Sequence, residues 1–161
     1  MVNYIDIKLS NVSDATDKLG YFDISIDSDG DLKKEDGFDT NIIVSLFGER
    51  RASSDEVTEP LLRRGWWGNT VNENGFENGS KLWLLDQSRL TTSTVNLCTQ
   101  YAAEGLKWLK DDGYIFDVIV TSVPTYEAGS PKIALQVDLI RNDSSVEYKY
   151  FTVWNNTGSG T

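Results

Sequence analysis

Alternating apolar and polar positions open the chain. Ile5 and Ile7 alternate with Asp6 and Lys8 between Tyr4 and Leu9, and Phe22, Ile24 and Ile26 alternate with Asp23, Ser25 and Asp27 between Tyr21 and Ile26. A two-residue period puts one set on each face of a strand, so two short strands are predicted, with polar, turn-rich residues 11–20 between them. From Asp39 to Phe47 the period becomes helical. Ile42, Ile43, Leu46 and Phe47 share a face, Asp39 or Thr40 is the expected N-cap, and Gly48 is the expected stop. The longest helical pattern runs from Thr91 to Lys110, capped by Thr92 or Ser93 and closed by Asp111-Asp112-Gly113. Its apolar stripe is Val95, Cys98, Tyr101, Ala102, Leu106 and Leu109. Tyr114 to Thr121 is rich in β-branched residues and reads as a strand, followed by a linker or loop from Pro124 to Pro131. Lys132 to Ile140 then alternates strictly, residues 141–145 form a turn, and the chain returns with Val146, Tyr148, Tyr150, Thr152 and Trp154 on one face. That is a β-hairpin pattern.

This order predicts a single α+β domain over residues 1–161, with two principal helices on one face of a mainly antiparallel sheet. Residues 1–30 supply N-terminal strands and an acidic turn. Residues 39–110 supply the helices and a Trp/Arg segment, residues 114–154 the C-terminal strands, and 155–161 a frayed polar tail.

The stretch from Gly48 to Leu85 follows no single period. It holds Gly48-Glu49-Arg50-Arg51, Arg63-Arg64-Gly65-Trp66-Trp67-Gly68 and Gly79-Ser80-Lys81-Leu82-Trp83-Leu84-Leu85, with three of the five tryptophans. Adjacent indoles flanked by glycines read as a compact loop, because glycine permits turns that other residues resist. Its rings either cap the chain's own core or fill a partner's pocket. Arg50 and Arg51 follow a helix C-terminus, where cations meet the negative end of the dipole; a partner-binding role is the alternative. Arg63 and Arg64 have no such local explanation. Residues 69–79 read as an exposed Asn/Gly loop, and residues 81–85 as a short helix or a buried extended piece.

Composition narrows the function classes. With 161 residues, 39% of them hydrophobic and 25% charged, the chain reads as soluble, globular and long enough for a proper core. The formal net charge is −10, and residues 1–40 hold ten acids against four bases. An acidic surface disfavours sequence-independent nucleic-acid binding and suits a basic protein partner or plain solubility. No apolar run approaches the ~20 residues of a membrane helix, and the N-terminus does not read as a signal peptide, so a soluble, cytoplasmically made chain is expected. The single cysteine, Cys98, excludes an internal disulfide and lies in the helical stripe, where it reads as core.

The absence of histidine removes the commonest general base and zinc ligand. No phosphate-binding glycine loop, dinucleotide fingerprint or G-x-S-x-G is present. Asp27-Ser28-Asp29-Gly30-Asp31 fits a calcium loop poorly: counting from Ser25, the first position is Ser and the last is Asp36, so an acidic turn is expected. No metal and no cofactor are predicted. Paired carboxylates remain, with Glu49, Asp55, Glu56, Glu59 and Asp86 around the tryptophans, but acids are 25 of the 161 residues and some must neighbour a tryptophan.

The run Ile42 to Ala52, the Arg64-Gly65-Trp66-Trp67-Gly68 block and the Gly79 to Leu85 block resemble the Mu-like phage tail protein family (gene product forty-six). So do Tyr101 to Leu109, Asp112-Gly113 and the hairpin ending at Trp154. The likeness spans roughly Gly30 to Trp154. That family is similar in turn to the small wedge protein of T-even baseplates (gene product twenty-five), which shares a Gly-Glu-Arg triplet after a helix. That wider group has Glu-Pro-Arg after its helix-ending tryptophan; here Leu109-Lys110-Asp111 follow Trp108, so no role of that triplet is transferred.

The resemblance implies a structural baseplate part of the virion tail, not an enzyme, present in several copies around a sixfold baseplate. Its implied partners are the larger wedge proteins, the first sheath ring and the central hub or spike, with no nucleic acid and no membrane. The implied interface residues are Arg50, Arg51, Arg63 and Arg64 as cations, and Trp66, Trp67 and Trp83 as anchors. Tyr148, Tyr150 and Trp154 belong to a sheath-docking hairpin over 132–154 that resembles a sheath handshake domain. The competing readings are a lysozyme-like peptidoglycan hydrolase of the tail and a carbohydrate-binding module.

Overall fold

Among the described residues the N-terminal region forms four short strands rather than the two predicted: β1 (Asp6–Ile7), β2 (Leu9–Val12), β3 (Tyr21–Ile24) and β4 (Lys34–Glu35). The structure is a computed structural model that describes residues 6–12, 21–35, 37–71, 77–86, 88–127 and 130–155. It divides into two units, Met1–Val44 and Ser45–Thr161.

In the first unit β1 pairs with β4 and β2 with β3, both antiparallel. The second expected strand stops at Ile24, and Ile26 instead bridges Leu32. Between them the Asp27 carboxylate accepts from the backbone N–H groups of Asp29 and Asp31, and Gly30 takes φ +82°. A side chain that satisfies local backbone donors competes with the ladder, which is why the strand gives way to a turn. Helix α1 (Asp39–Phe47) has the predicted bounds. Asp39 and Thr40, the expected caps, lie inside its first turn. The Glu35 carboxylate accepts the Thr40 N–H at 2.6 Å, while the Thr40 hydroxyl donates to Ile7 O and accepts from Leu9 N. One threonine thus ties β1 and β2 to the start of the helix.

In the second unit α2 (Thr92–Leu106) is capped by Thr91, whose hydroxyl accepts from Thr94 N. The expected single helix breaks at Lys107 and resumes as the short α3 (Trp108–Asp111). Three strands follow in the order β5-β6-β7, all antiparallel: β5 (Asp117–Glu127), β6 (Ser130–Ile140) and β7 (Val146–Asn155). The fold is the α+β arrangement predicted. Strand β5 starts later than expected and runs through Pro124, so the expected loop from Pro124 to Pro131 is largely strand. Proline is tolerated there because β5 is an edge strand, where a missing N–H costs no ladder bond.

Ile133, Leu135, Val137 and Leu139 form a fully buried row on β6, and among the described residues Leu46, Ala52, Leu82, Leu85, Cys98, Ala102, Leu106, Leu109 and Ile115 are the other buried apolar side chains of this unit. The stripe of α2 therefore reads correctly, whereas Phe47 is half exposed and makes an edge contact with Phe151 at 6.1 Å. On β7 the cross-strand register separates two faces. Lys149 and Glu147 lie opposite the buried Val137 and Leu139, while Tyr150 and Tyr148 lie opposite Gln136 and Asp138 on the outer face. Glu147 pairs with Lys149 at 2.6 Å and with Arg141 at 2.5 Å. A register shift at Ile133/Ala134 places Trp154 opposite Ile133, so the alternation counted from Tyr148 does not run straight through to it. The Trp154 side chain lies outside the described residues.

Candidate functional site

The described residues of 48–86, within the second unit, fold as a set of crossings, and residues 72–76 of the expected Asn/Gly loop lie outside the described residues. Ser80 N donates to Gly48 O, Arg50 N to Ser80 O, Trp66 N to Glu49 O, and Ala52 N to Arg63 O, all between 2.8 and 3.0 Å. The strip 48–52 is thereby held from both sides, by Ser80 and by residues 63–66. The crossing depends on glycine. Gly79 has φ +96°, and a Cβ there would lie 2.5 Å from Gly48 O. The Ser80 hydroxyl, fully buried, donates to Leu46 O at 2.5 Å and accepts from Leu82 N. Leu82–Leu85 then forms a 3-10 helix, which settles the choice the five-residue pattern left open.

The four arginines of the segment work mainly on their own chain. Arg50 donates to Glu77 O at 2.8 Å, with the Glu77 carboxylate 3.8 Å away. Arg51 spans the Pro60–Arg64 turn, donating to Pro60 O and Arg64 O. Arg63 donates to Val57 O and Thr58 O. Arg64 lies 2.8 Å from the Glu49 carboxylate, 3.8 Å from that of Asp86, and over the Trp83 ring at 4.8 Å. Neither Arg50 nor Arg51 takes the expected place on the last carbonyls of α1. Other main-chain oxygens take them instead, that of Glu77 for Arg50 and those of Pro60 and Arg64 for Arg51, carbonyls that lie outside any strand ladder. The Trp83 indole N–H donates to Arg50 O at 2.8 Å, so Trp83 is a half-buried structural pin.

Trp66 and Trp67 differ. Their rings meet at 5.8 Å and a tilt of 50°, and they remain 49% and 72% exposed. The Trp66 ring lies on Gly68, where a Cβ would come within 2.3 Å of it. The turn that delivers them is strained: Arg64 has φ +46° and Gly65 φ +108°. A left-handed non-glycine residue costs about 1–3 kcal/mol, so surrounding contacts must hold it. The side chain of Arg51, against Gly65, and the ion pair to Glu49 do so.

The titratable groups show what chemistry is available. Burial pushes the Asp86 carboxyl up, the neighbouring Glu49 charge adds to this, and Arg64 opposes it. Burial would also raise Glu56, but Lys81 at 2.9 Å and the backbone N–H and hydroxyl of Ser53 outweigh it and hold it down. Cys98, buried, has its thiol pushed up to about 11, which keeps it protonated and inert. An open cleft of 370 Å³ lies beside the segment, lined by Arg50, Arg51, Ala52, Ser53, Glu77, Lys81 and Glu104; Glu49 and Asp86 are not part of it. Their charges instead converge on Arg64, the geometry of a structural ion cluster. Among the described residues no group of three or more His, Cys, Asp or Glu is placed to hold a metal, and no helix is long and apolar enough to cross a membrane.

The predicted interface residues therefore fall into two places. Arg50, Arg51, Arg63, Arg64 and Trp83 form the frame of the 48–86 segment, from which Trp66 and Trp67 emerge. Tyr148 and Tyr150 stand exposed on the outer face of the sheet, at 58% and 69%. Sequence reasoning missed Leu61 and Leu62, which follow Pro60 in a short 3-10 helix and are strongly exposed. The visible signal was an apolar pair in an otherwise polar, acidic stretch.

Comparison with known proteins places the sequence in a family. Residues 38–146 match the family described as Phage protein GP46. The chain is 33% identical over 128 residues to the baseplate protein gp46 of Escherichia phage Mu, covering 78% of this chain and 85% of that protein. It is 31% identical over 121 residues to the Mu-like prophage FluMu protein gp46 of Haemophilus influenzae Rd, covering 74% and 80%.

Proposed function

The chain belongs to the phage protein GP46 family, and from that premise we propose that it is a structural component of a phage tail baseplate. The supporting observation is the extent of the match: it takes in the whole Arg/Trp segment and β5 and β6, and one of the matched relatives carries the name baseplate protein. In this reading the protein is a wedge subunit. It packs against larger wedge proteins and the hub or spike, recurs around a sixfold baseplate, and starts the sheath. Trp66 and Trp67 are the wedge-side anchors, and residues 132–154, with Tyr148, Tyr150 and Trp154, are the sheath-side element. Exposed aromatics on a rigid frame suit such contacts, since tryptophan and tyrosine dominate interface hot spots. A frame whose arginines are taken up by main-chain oxygens and, at Arg64, by the Glu49 and Asp86 carboxylates suits a scaffold better than a hydrolase.

Tag-labelled electron microscopy of particles from a producing strain tests this. Label at the baseplate end of the tail is the expected result, in the virion rather than free in the host cytoplasm. Particles without label, with the protein free in the lysate, would sink it.

A further inference from the structure

An antiparallel sheet that buries one face normally turns polar side chains to the other. The β5-β6-β7 sheet departs from this. Its inner face carries the buried row of β6. On its outer face the register sets Ile119, Asp138 and Tyr148 side by side in one row, and Thr121, Gln136 and Tyr150 in the next. Val123 stands one row beyond the second, and Val146 one row beyond the first. Ile119 and Val123 on β5 and Val146, Tyr148 and Tyr150 on β7 are all exposed. The face is therefore two apolar flanks, on the two edge strands, bordering a polar centre of Gln136 and Asp138. Side chains opposite one another across neighbouring strands lie about 5 Å apart, so flanks and centre form one continuous surface. An exposed surface of this kind marks an interaction site.

Its centre carries the charge that selects an occupant. Asp138 is half-buried. Its Oδ1 accepts from Gln136 Nε2 at 2.7 Å, and among the described residues Oδ2 has no hydrogen-bond or ion-pair partner. The bases nearby are offset by other acids. Lys110 lies 2.8 Å from Asp117, and Arg141 and Lys149 face Glu147 and Asp143. Lys132, on the same face of β6, is six residues from Asp138, about 20 Å along the strand and well beyond the screening length of about 8 Å. The carboxylate at the middle of the face is thus uncompensated. A partner that covers it must bring a cation, because a carboxylate stripped of water and left unpaired is costly. A second copy would bring the same carboxylate on a chain of net charge −10, which opposes self-docking.

We propose that the outer face of the β5-β6-β7 sheet receives an apolar segment of a neighbouring baseplate protein that places one arginine on Asp138. Arginine suits the position better than lysine, since its planar guanidinium can donate to the carboxylate while stacking on the adjacent Tyr148 ring. Ile119 and Tyr150 bound the seat on the two edge strands. This rests on the baseplate reading and extends the contact from the hairpin to all three strands, β5 included.

The test uses the full chain in particles from a producing strain, with a photo-crosslinking residue at position 119 or 150 and, as control, at the exposed Ser93 of α2. Positions 119 and 150 should capture the same segment of another tail protein, apolar and holding an arginine, which position 93 does not. Asp138→Asn keeps an oxygen for Gln136 and removes the charge. In competition with the unmodified protein it should enter particles about tenfold less or worse, with an unchanged melting temperature. Asp138→Arg should fail likewise and recover when the captured arginine is replaced by aspartate. Capture of any segment of this same chain, capture of a segment without arginine, absence of capture at both positions, or normal entry of Asp138→Asn overturns the proposal. If the unmodified protein is itself absent from particles, the baseplate reading falls and takes this proposal with it. If it is present and one of those outcomes is found, the proposal alone falls.

Discussion

Trp83 and Arg50, 33 residues apart, are joined by one hydrogen bond from the indole N–H to the main-chain oxygen at 2.8 Å. The bond locks the two ends of the Arg/Trp segment across each other, and Arg64 covers the ring from above. Trp83→Phe keeps a ring under Arg64 but strands the Arg50 carbonyl. A half-buried acceptor left unpaired costs about 1–3 kcal/mol. The urea midpoint should fall accordingly with an unchanged slope, and an unchanged midpoint would refute the pin.

Gly105→Ala sets two effects of opposite sign against each other. Alanine is favoured over glycine inside a helix by about 1 kcal/mol. Yet a Cβ at position 105 would lie 2.9 Å from Ser45 O and 3.0 Å from the Ser80 side chain. Overpacking against fixed backbone costs about 1–3 kcal/mol. Net destabilisation is expected, visible as a lower melting temperature by calorimetry.

Leu106→Ala and Leu61→Ala separate core from surface. Leu106 is fully buried, so its truncation should cost about 2–5 kcal/mol. Leu61 is 89% exposed, and its truncation should change stability by no more than about 0.5 kcal/mol. Chemical denaturation of both variants checks the pair.

What the sequence made legible follows where one residue's period decided the outcome. The row Ile133, Leu135, Val137 and Leu139 was readable because burial there tracks a strict period, and the helix from Asp39 to Phe47 because Ile42, Ile43 and Leu46 recur at helical spacing. Pro124 misled, because its tolerance depends on β5 lying at the sheet edge, a fact of pairing and not of local pattern. Arg63 offered no local explanation because its acceptors are the carbonyls of Val57 and Thr58, and a main-chain oxygen carries no residue identity. Leu61, Leu62 and Phe47 share one difficulty: apolar identity does not say which way a side chain faces.

Glu147 should give stability a definite acid dependence. The Lys149 ammonium holds its carboxyl below the ordinary 4.5, Arg141 adds to this, and burial opposes both. A carboxylate depressed in the fold stabilises above its unfolded value and loses that contribution as pH falls through the folded one. Glu147→Gln should therefore be less stable than the parent at pH 7, with the difference closing as pH drops below about 4.5. Asp86 has the opposite sign. Its raised carboxyl contributes below the ordinary 3.8 and loses that contribution as pH rises through the folded value. Urea midpoints across pH 3 to 7 check both directions.

Cys98, with its thiol pushed up to about 11 and its side chain buried, should not react with a thiol reagent at pH 7 in the folded protein. One equivalent should appear in denaturant, and its rate of appearance reports opening of the α2 core. Immediate reaction in native buffer would contradict this packing.

The sheet has two edges, β5 and β7, and the inward side of β7 carries charge: Lys149 and Glu147 occupy positions that face the buried Val137 and Leu139. A further strand laid along β7 would close over these ions and strip away the water that still reaches them, which opposes indiscriminate strand addition. The edge behaves as a gatekeeper. It refuses a generic apolar strand, and with it runaway self-stacking, while a neighbour that carries matching counter-charges meets a lower barrier. The ion pair thus sets the chemistry that any added strand would have to meet.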